Sequence, residues 1–310
     1  MMTKLLALSP LTDENIETLK KYHITVVTPE TMSPDDYAKI DIIYGWRSKV
    51  ISKILKTPNH SLKWIQSFSA GVDFMPLADL EEHHIILTNA SGQKAVPIAE
   101  SVMSYILHFA RGLHVYQTQN HWEPFEKQFT LKELPVIIFG TGRIGQQIAT
   151  YLQAFGTEVY GVNTTGHPVA GFKETFAIND LKQVPNHIAI VINALPSTPT
   201  TNNFFNKSQL ELFKELFLFI NIGRGSTVNE HDLLAKLNDG SIQHAALDVT
   251  KVEPIPNDSQ LWHQDNLLLT QHSTWAGESD SLFNIFMKNL PDFLAGKPLS
   301  YNVVDYKRGY

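Results

Sequence analysis

The tightest constraint on this chain is a run of six residues, Gly140-Thr141-Gly142-Arg143-Ile144-Gly145. A G-x-G-x-x-G on its own is a weak signal, and its setting makes it a strong one. It follows an apolar run over residues 136–139, predicted to be a strand. It opens a stretch in which Ile144, Ile148, Tyr151, Leu152 and Phe155 recur at helical spacing until Gly156. A second strand is predicted over 158–162. Strand, turn, helix and strand in that order are the setting in which the motif holds a dinucleotide. Gly140 allows the tight turn. Gly142 lets backbone N–H groups approach a pyrophosphate with no side chain between, and Gly145 lets the helix pack on the strand. The helix N-terminus turns partial positive charge toward the phosphates. Gly140, Thr141, Gly142, Arg143, Ile144 and Gly145 are therefore the expected cofactor turn.

The rest of the chain fits that frame. Strands are predicted over 4–8, 24–27, 40–44, 64–68 and 85–88, with amphipathic stretches such as 12–21 between them. A long helix is expected near Pro97, where Val102, Tyr105, Ile106, Phe109 and Leu113 follow helical spacing. Residues 117–132 are polar and aromatic without a period, and read as a connection crossing between domains. A second series of six strands is predicted over 136–139, 158–162, 188–193, 218–222, 245–249 and 267–270. A helix over 280–295 and a polar surface tail over 297–310 follow. Strand–helix alternation of this kind predicts parallel sheets with helices on both faces. At roughly 150 residues per domain, 310 residues suggest two domains.

Composition narrows the function classes. Lys and Arg total 25 against 31 Asp and Glu, a net charge of −6 with no basic block to grip nucleic acid. The chain has no cysteine, which excludes disulfides, thiolate nucleophiles, cysteine-held zinc and iron–sulfur clusters; no metal site is expected. Residues 1–8 read as a strand rather than a signal peptide. The longest apolar stretch, 216–222, is far too short to span a bilayer. The expectation is a cytoplasmic protein with no membrane or nucleic-acid partner.

At the end of the second strand of the cofactor series, NAD enzymes usually place an acid for the adenosine ribose. Here the residues are Asn163-Thr164-Thr165-Gly166-His167, with neither an acid nor an arginine. Asn163 can hydrogen-bond a ribose, and Thr164 or Thr165 a 2′-phosphate. The cofactor stays open between NAD and NADP, with a lean toward NADP(H) being accepted.

Three later strands end in chemically useful residues. Arg224 follows strand 218–222, Glu253 follows 245–249 and His272 follows 267–270. Ligands of an open parallel sheet lie beyond the carboxyl ends of its strands. A carbonyl that accepts hydride needs a proton for its oxygen, and histidine supplies one near neutral pH. A neighbouring carboxylate keeps the imidazole protonated and oriented. An arginine forks onto a substrate carboxylate and polarises the adjacent carbonyl. Together they suit a 2-keto acid. Singly each has a plainer reading: a turn cap for Arg224, a solvated charge for Glu253, and one of 13 histidines for His272.

At these residues the chain resembles the D-isomer-specific 2-hydroxyacid dehydrogenase family, over nearly its whole length. Ser69-Ala70-Gly71-Val72-Asp73 is similar to the loop whose backbone N–H groups hold the substrate carboxylate, which implies Ala70 and Gly71 as substrate-binding residues beside Arg224. Asn89 and then Ile98-Ala99-Glu100 resemble the segment leading into the cofactor domain. Asn193-Ala194-Leu195-Pro196-Ser197-Thr198 resembles the turn beside the nicotinamide ribose, placing Leu195 and Pro196 there. Ala246-Leu247-Asp248-Val249 carries the Asp248 that in the family faces the nicotinamide carboxamide.

The resemblance implies an α/β protein of two Rossmann-like, doubly wound, parallel-sheet domains with the active-site cleft between them. The substrate domain would comprise residues 1–98 plus 277–310, and the NAD(P)-binding domain 99–276. It implies a homodimer joined through the cofactor domain, and reduction of a 2-keto acid to a D-2-hydroxy acid with Arg224, Glu253 and His272 as catalytic residues. Two departures stand out. Gln271 replaces the usual proline before the histidine, and Ser273-Thr274-Trp275 replaces a small apolar pair. Trp46 and Arg47 are further pocket candidates. The competing readings are a non-catalytic NAD(H)-binding regulatory protein on the same fold, and a Rossmann module with other chemistry such as a methyltransferase. The second leaves the three strand-end residues unexplained.

Overall fold

The computed structural model describes residues 2–273 and 280–310. The chain divides into two compact units, Met1–Gln93 with Gly277–Tyr310, and Lys94–Ala276. The first contains β1 (Thr3–Ala7), α1 (Asp13–Lys21), β2 (Ile24–Val27), β3 (Ile42–Tyr44), α2 (Ser48–Leu55), β4 (Trp64–Gln66), α3 (Leu77–Glu82) and β5 (Ile86–Thr88). The second contains α4 (Ala95–Ala110), α5 (Leu113–Tyr116), β6 (Val136–Phe139), α6 (Arg143–Ala154), β7 (Val159–Asn163), β8 (Glu174–Ala177), β9 (Ile190–Asn193), α7 (Lys207–Leu210), β10 (Leu216–Asn221), α8 (Glu230–Asn238), β11 (Ile242–Leu247) and β12 (Leu267–Leu269). The last helix, α9 (Asp280–Leu294), returns to the first unit.

Strands buried on both faces need side chains that are apolar in every position, not in alternation. That is how β3, β6, β9 and β10 read apart from Asn193 and Asn221, which end β9 and β10, and all their residues are buried. The first unit has the order β2-β1-β3-β4-β5, every neighbour parallel. One face packs on α2 and α3 through Leu6, Ile43 and Ile65. The other packs on α1 and α9 through Leu5, Ile42 and Trp64, and Trp64 stacks on Phe286 at 4.6 Å.

The second unit has seven parallel strands in the order β12-β11-β10-β9-β6-β7-β8. Val136 and Ile138 of β6 face α4 and α6, while Ile137 and Phe139 face α7 and α8. From β6 the chain winds outward one way to β7 and β8. From β9 it winds the other way to β12. The β6–β9 boundary is thus the switch point at which an open α/β sheet leaves a crevice for ligands.

Three expectations need correction. The cofactor sheet has a seventh strand, β8, at its edge; only Phe176 of its four residues is buried, so its apolar pattern is faint. The stretch 117–132 does not cross between units: it lies within the second, and the chain passes into that unit at Lys94. The tail is not simply a surface coil. Val304 is buried in the first unit's core, Val303 bridges to Thr88, and the Tyr306 hydroxyl donates to the Ile85 carbonyl at 2.5 Å. A few apolar residues scattered through a polar run have no period to betray them.

Against one face of the second sheet lies a knot of rings. His244 of β11 stacks on Phe109 at 4.5 Å and meets His114 edge-on at 4.8 Å. Its Nδ1 is buried without a hydrogen-bond partner among the described residues. Burial first, then the neighbouring His114 and His108, push its pKa down to about 4 from 6.5. The unfolded chain therefore takes up this proton between those values and the native chain does not. Stability from this group is complete above pH 6.5 and falls as the pH drops toward 4. The expected loss is about 2 kcal/mol at pH 5. Denaturant titrations at pH 7 and pH 5 should show that loss in the native chain and a smaller one in His244→Phe; equal losses in the two would refute the assignment.

Candidate active site

The cofactor turn is built by contacts that leave one position open. Gly140 has φ +102, and a Cβ there would meet the Ala194 carbonyl oxygen at 2.9 Å. A Cβ on Gly145 would strike the Gly140 carbonyl oxygen, so this glycine lets α6 press against the turn. Gly142 differs from both. Its φ of −74 suits any residue, and an added Cβ would point into open space. Neither backbone nor neighbours require glycine at 142, and the open space leaves room for the close approach of a phosphate. The Gly142 carbonyl already accepts the first helical hydrogen bond, from Gln146 N at 2.9 Å, so α6 starts at the turn. Arg143 is the first helical residue and is exposed, Ile144 is half-buried, and Thr141 is buried with its carbonyl held by Gln146 Nε2 at 2.9 Å. These residues fit a dinucleotide pyrophosphate.

At the end of β7, Asn163 shapes the loop. Its Nδ2 donates to Thr141 Oγ1 at 3.3 Å and the His167 carbonyl at 2.9 Å. Its Oδ1 accepts from Thr165 N at 3.2 Å and Gly166 N at 2.7 Å. Both amide protons and both lone pairs are engaged, so the expected ribose contact from this side chain does not fit the geometry. Thr164 stands exposed, and Thr165 Oγ1 lies 3.0 Å from His167 Nδ1. Hydroxyls and an imidazole, with no carboxylate, line the loop; His167 was not among the expected residues.

Beyond β9 and β10 runs a buried polar ladder that sequence reasoning missed. Asn193 Nδ2 donates to Asn221 Oδ1 at 2.8 Å and to Thr227 Oγ1 at 2.6 Å. Asn193 Oδ1 accepts from Leu195 N at 3.1 Å, and Asn221 Oδ1 from Gly223 N at 3.1 Å. Asn221 Nδ2 and Thr227 Oγ1 both donate to the Arg224 carbonyl, at 3.2 and 2.6 Å. The ladder ties the Leu195–Pro196 turn to the arginine loop. Leu195 is buried, and the Pro196 carbonyl accepts from Thr201 Oγ1 at 2.6 Å. Arg224 is half-buried with extended backbone, and one guanidinium nitrogen donates to the Gly223 carbonyl at 2.9 Å. Near it stands Lys94, whose ammonium burial first, and the Arg224 charge second, push below its ordinary range. Two cations in this corner favour an anionic ligand.

Glu253 and His272, predicted as a pair, are one. His272 Nδ1 lies 2.9 Å from Glu253 Oε2. The other carboxylate oxygen, Oε1, accepts from Thr250 N at 3.0 Å, which fixes the carboxylate's direction. Since the carboxylate can only accept, Nδ1 carries the donated proton and Nε2 is left for chemistry. The His272 side chain is 51% exposed, and that of Glu253 38%. The Arg224 and Glu253 loops are in close contact: a Cβ on Gly225 would collide with the Thr250 carbonyl. Asp248 is buried at 4% exposure and accepts from Thr270 Oγ1 and Ser273 N through Oδ1.

In the first unit, Ala70 and Gly71 follow β4 in a loop held by Asn89, whose Nδ2 donates to the Ala70 carbonyl at 2.9 Å. Val72 anchors the loop in the core. Trp46 is buried rather than part of a surface loop, with Nε1 donating to Ser48 Oγ at 3.1 Å and its ring edge-on to Phe74. Arg47 is exposed at the start of α2. Thr274 and Trp275 lie outside the described residues.

Comparison with known proteins adds three findings. The family model described as D-isomer specific 2-hydroxyacid dehydrogenase, NAD binding domain, matches residues 103–274. Glyoxylate/hydroxypyruvate reductase A from Salmonella heidelberg (strain SL476) is 28% identical over 259 residues, covering 80% of this chain and 82% of that protein. Among solved structures, a D-isomer specific 2-hydroxyacid dehydrogenase family protein from Aeromonas salmonicida is 31% identical with a TM-score of 0.84, covering 99% of this chain and 100% of that one. Another, from Xanthobacter autotrophicus Py2 in complex with NADPH and MES, is 26% identical with a TM-score of 0.85 and covers 100% of both chains.

The glycine geometry makes a contrast that can be measured. Gly145→Ala should destabilise the chain by about 1–3 kcal/mol through overpacking. Gly142→Ala should leave the melting temperature unchanged while weakening binding of a dinucleotide, read by calorimetry. Equal stability losses in the two variants would show that Gly142 serves packing alone.

Proposed function

The chain belongs to the D-isomer specific 2-hydroxyacid dehydrogenase family, and we propose that within it the protein reduces small 2-keto acids with Arg224, Glu253 and His272 as its catalytic residues. The enzyme class is that of an NAD(P)-dependent oxidoreductase acting between a 2-keto acid and a D-2-hydroxy acid. The observation that carries the residue roles is the His272–Glu253 pair at 2.9 Å, beside a loop that packs on the one holding Arg224.

In this reading the Arg224 guanidinium forks onto the substrate carboxylate and polarises its keto oxygen. Ala70 and Gly71 of the first unit are proposed as substrate-binding residues by the resemblance of their loop to that of the family. His272 Nε2 gives its proton to the keto oxygen as charge develops there. Glu253, held by Thr250 N, stabilises the imidazolium before transfer and keeps the ring in one tautomer. The dinucleotide, held by Gly140–Gly145 with Leu195, Pro196 and Asp248, supplies the hydride when bound. Support for NADPH comes from the acid-free loop after β7, where nothing repels a 2′-phosphate, and from the relative in complex with NADPH. Thr164, Thr165 and His167 are then its contacts. Glyoxylate or hydroxypyruvate is the proposed substrate, by likeness to the Salmonella reductase.

We also infer a homodimer joined through the second unit, working in the cytoplasm. Trp122 in that unit is 96% exposed, and Leu113 and Tyr116 are exposed nearby in sequence, which suits a surface covered by a partner. No helix among the described residues is long and apolar enough to cross a membrane.

Two measurements test the proposal. His272→Ala should lower kcat for keto-acid reduction by ~10²–10⁴-fold while NADPH binding survives; undiminished turnover sinks the mechanism. A panel of glyoxylate, hydroxypyruvate, pyruvate and larger 2-keto acids, run with NADH and NADPH, should show turnover of the two-carbon and hydroxylated acids with NADPH accepted. Turnover confined to NADH would overturn the cofactor assignment.

A further inference from the structure

The long helix α4 buries Val102, Tyr105, Ile106 and Phe109 in one apolar cluster. Phenylalanine would fill the space at 105, since Tyr105 is only 4% exposed. A hydroxyl carried into such a place costs free energy unless it is bonded. Here it is bonded: Tyr105 OH lies 2.9 Å from Thr270 Oγ1. Thr270 Oγ1 in turn lies 2.7 Å from Asp248 Oδ1. The direction of the chain follows from chemistry. A carboxylate only accepts, so the Thr270 proton goes to Asp248, and the Tyr105 proton must go to Thr270. Burial raises the Tyr105 pKa to about 12, which keeps it a donor at every working pH.

Asp248 is where this chain ends and the site begins. Its Oδ1 also accepts from Ser273 N at 3.1 Å, and its main-chain oxygen accepts from His272 N at 2.7 Å. Residues 270, 272 and 273 are thus all fastened to one aspartate. Between them His272 has φ +53, a left-handed conformation unfavourable for a non-glycine residue.

We propose that Tyr105 is a positioning residue for His272, acting through Thr270 and Asp248 to hold the 270–273 turn in the geometry that sets the imidazole against Glu253. The proposal rests on the reading of His272 as the proton donor. Tyr105 touches neither substrate nor cofactor in it. The role is to fix where Asp248 points, and so where His272 stands.

The test uses Tyr105→Phe, Thr270→Val, their double variant and Thr270→Ser. Each single loss of a hydrogen bond should lower kcat for 2-keto acid reduction roughly 3- to 10-fold, with the keto-acid KM within about twofold. The double variant should lose no more than the worse single one, because both break the same chain. Thr270→Ser, which keeps the hydroxyl, should recover the rate lost in Thr270→Val. A second readout does not need turnover: the His272 ring signal in the NMR spectrum, assigned with His272→Gln, should shift its position and titration midpoint in Tyr105→Phe. Wild-type kcat and an unmoved His272 signal in Tyr105→Phe overturn the proposal, as does full additivity in the double variant. A chain that reduces no 2-keto acid, yet whose His272 signal moves in Tyr105→Phe, would keep the positioning role and discard the proposed reaction.

Discussion

The rim of the second unit that carries Arg224 depends on burying asparagine amides where strands end. Asn193 and Asn221 are at most 1% exposed, at the ends of two strands that are otherwise apolar throughout. An unpaired amide in such a place costs roughly 1–3 kcal/mol, so these side chains act only as a completed set. The set closes through Thr227 and the Arg224 carbonyl. Any shift of the arginine loop would strand several buried polar groups at once. The same penalty that makes the ladder costly to break makes the position of Arg224 well defined.

The proposed catalytic residues are held differently from the residues behind them. The His272–Glu253 pair is about half exposed, and an ion pair in such a setting adds little to stability. Asn193, Asn221, Thr227, Asp248 and Tyr105 are buried and carry the geometry. In the proposed reaction, rigid support behind a solvent-accessible acid–base pair lets the imidazole exchange its proton with water after each turnover while keeping its direction. The left-handed backbone of His272 belongs with that division, since Asp248 pins it from behind.

The parts visible in the sequence were those with a period or a fixed spacing. Continuous apolar runs marked all five strands of the first sheet and six of the seven in the second. The G-x-G-x-x-G located the switch point between β6 and β9, and strand ends located Arg224, Glu253 and His272. Strand β8 escaped because an edge strand buries few residues. Val304 escaped because scattered apolar side chains in a polar tail follow no rule until the core they fill is known. Asn163 could be matched to a ribose by residue type alone; only the folded loop shows that its hydrogen-bonding capacity is already spent.

Tyr105 shows why such support is hard to read. In sequence it is one more large residue on the buried stripe of a helix, and its spacing says core. Its hydroxyl gains meaning only from Thr270, 165 residues later, at the end of β12. Local pattern reports which face of an element is buried, because burial is periodic along that element. It does not report which buried polar atom meets which other, because that pairing is set by how the elements pack. Arg224, Glu253 and His272 lie at strand ends, where the topology of an open sheet points. The polar side chains behind them lie inside the core, where a polar atom is costly and so is kept only where it finds a partner.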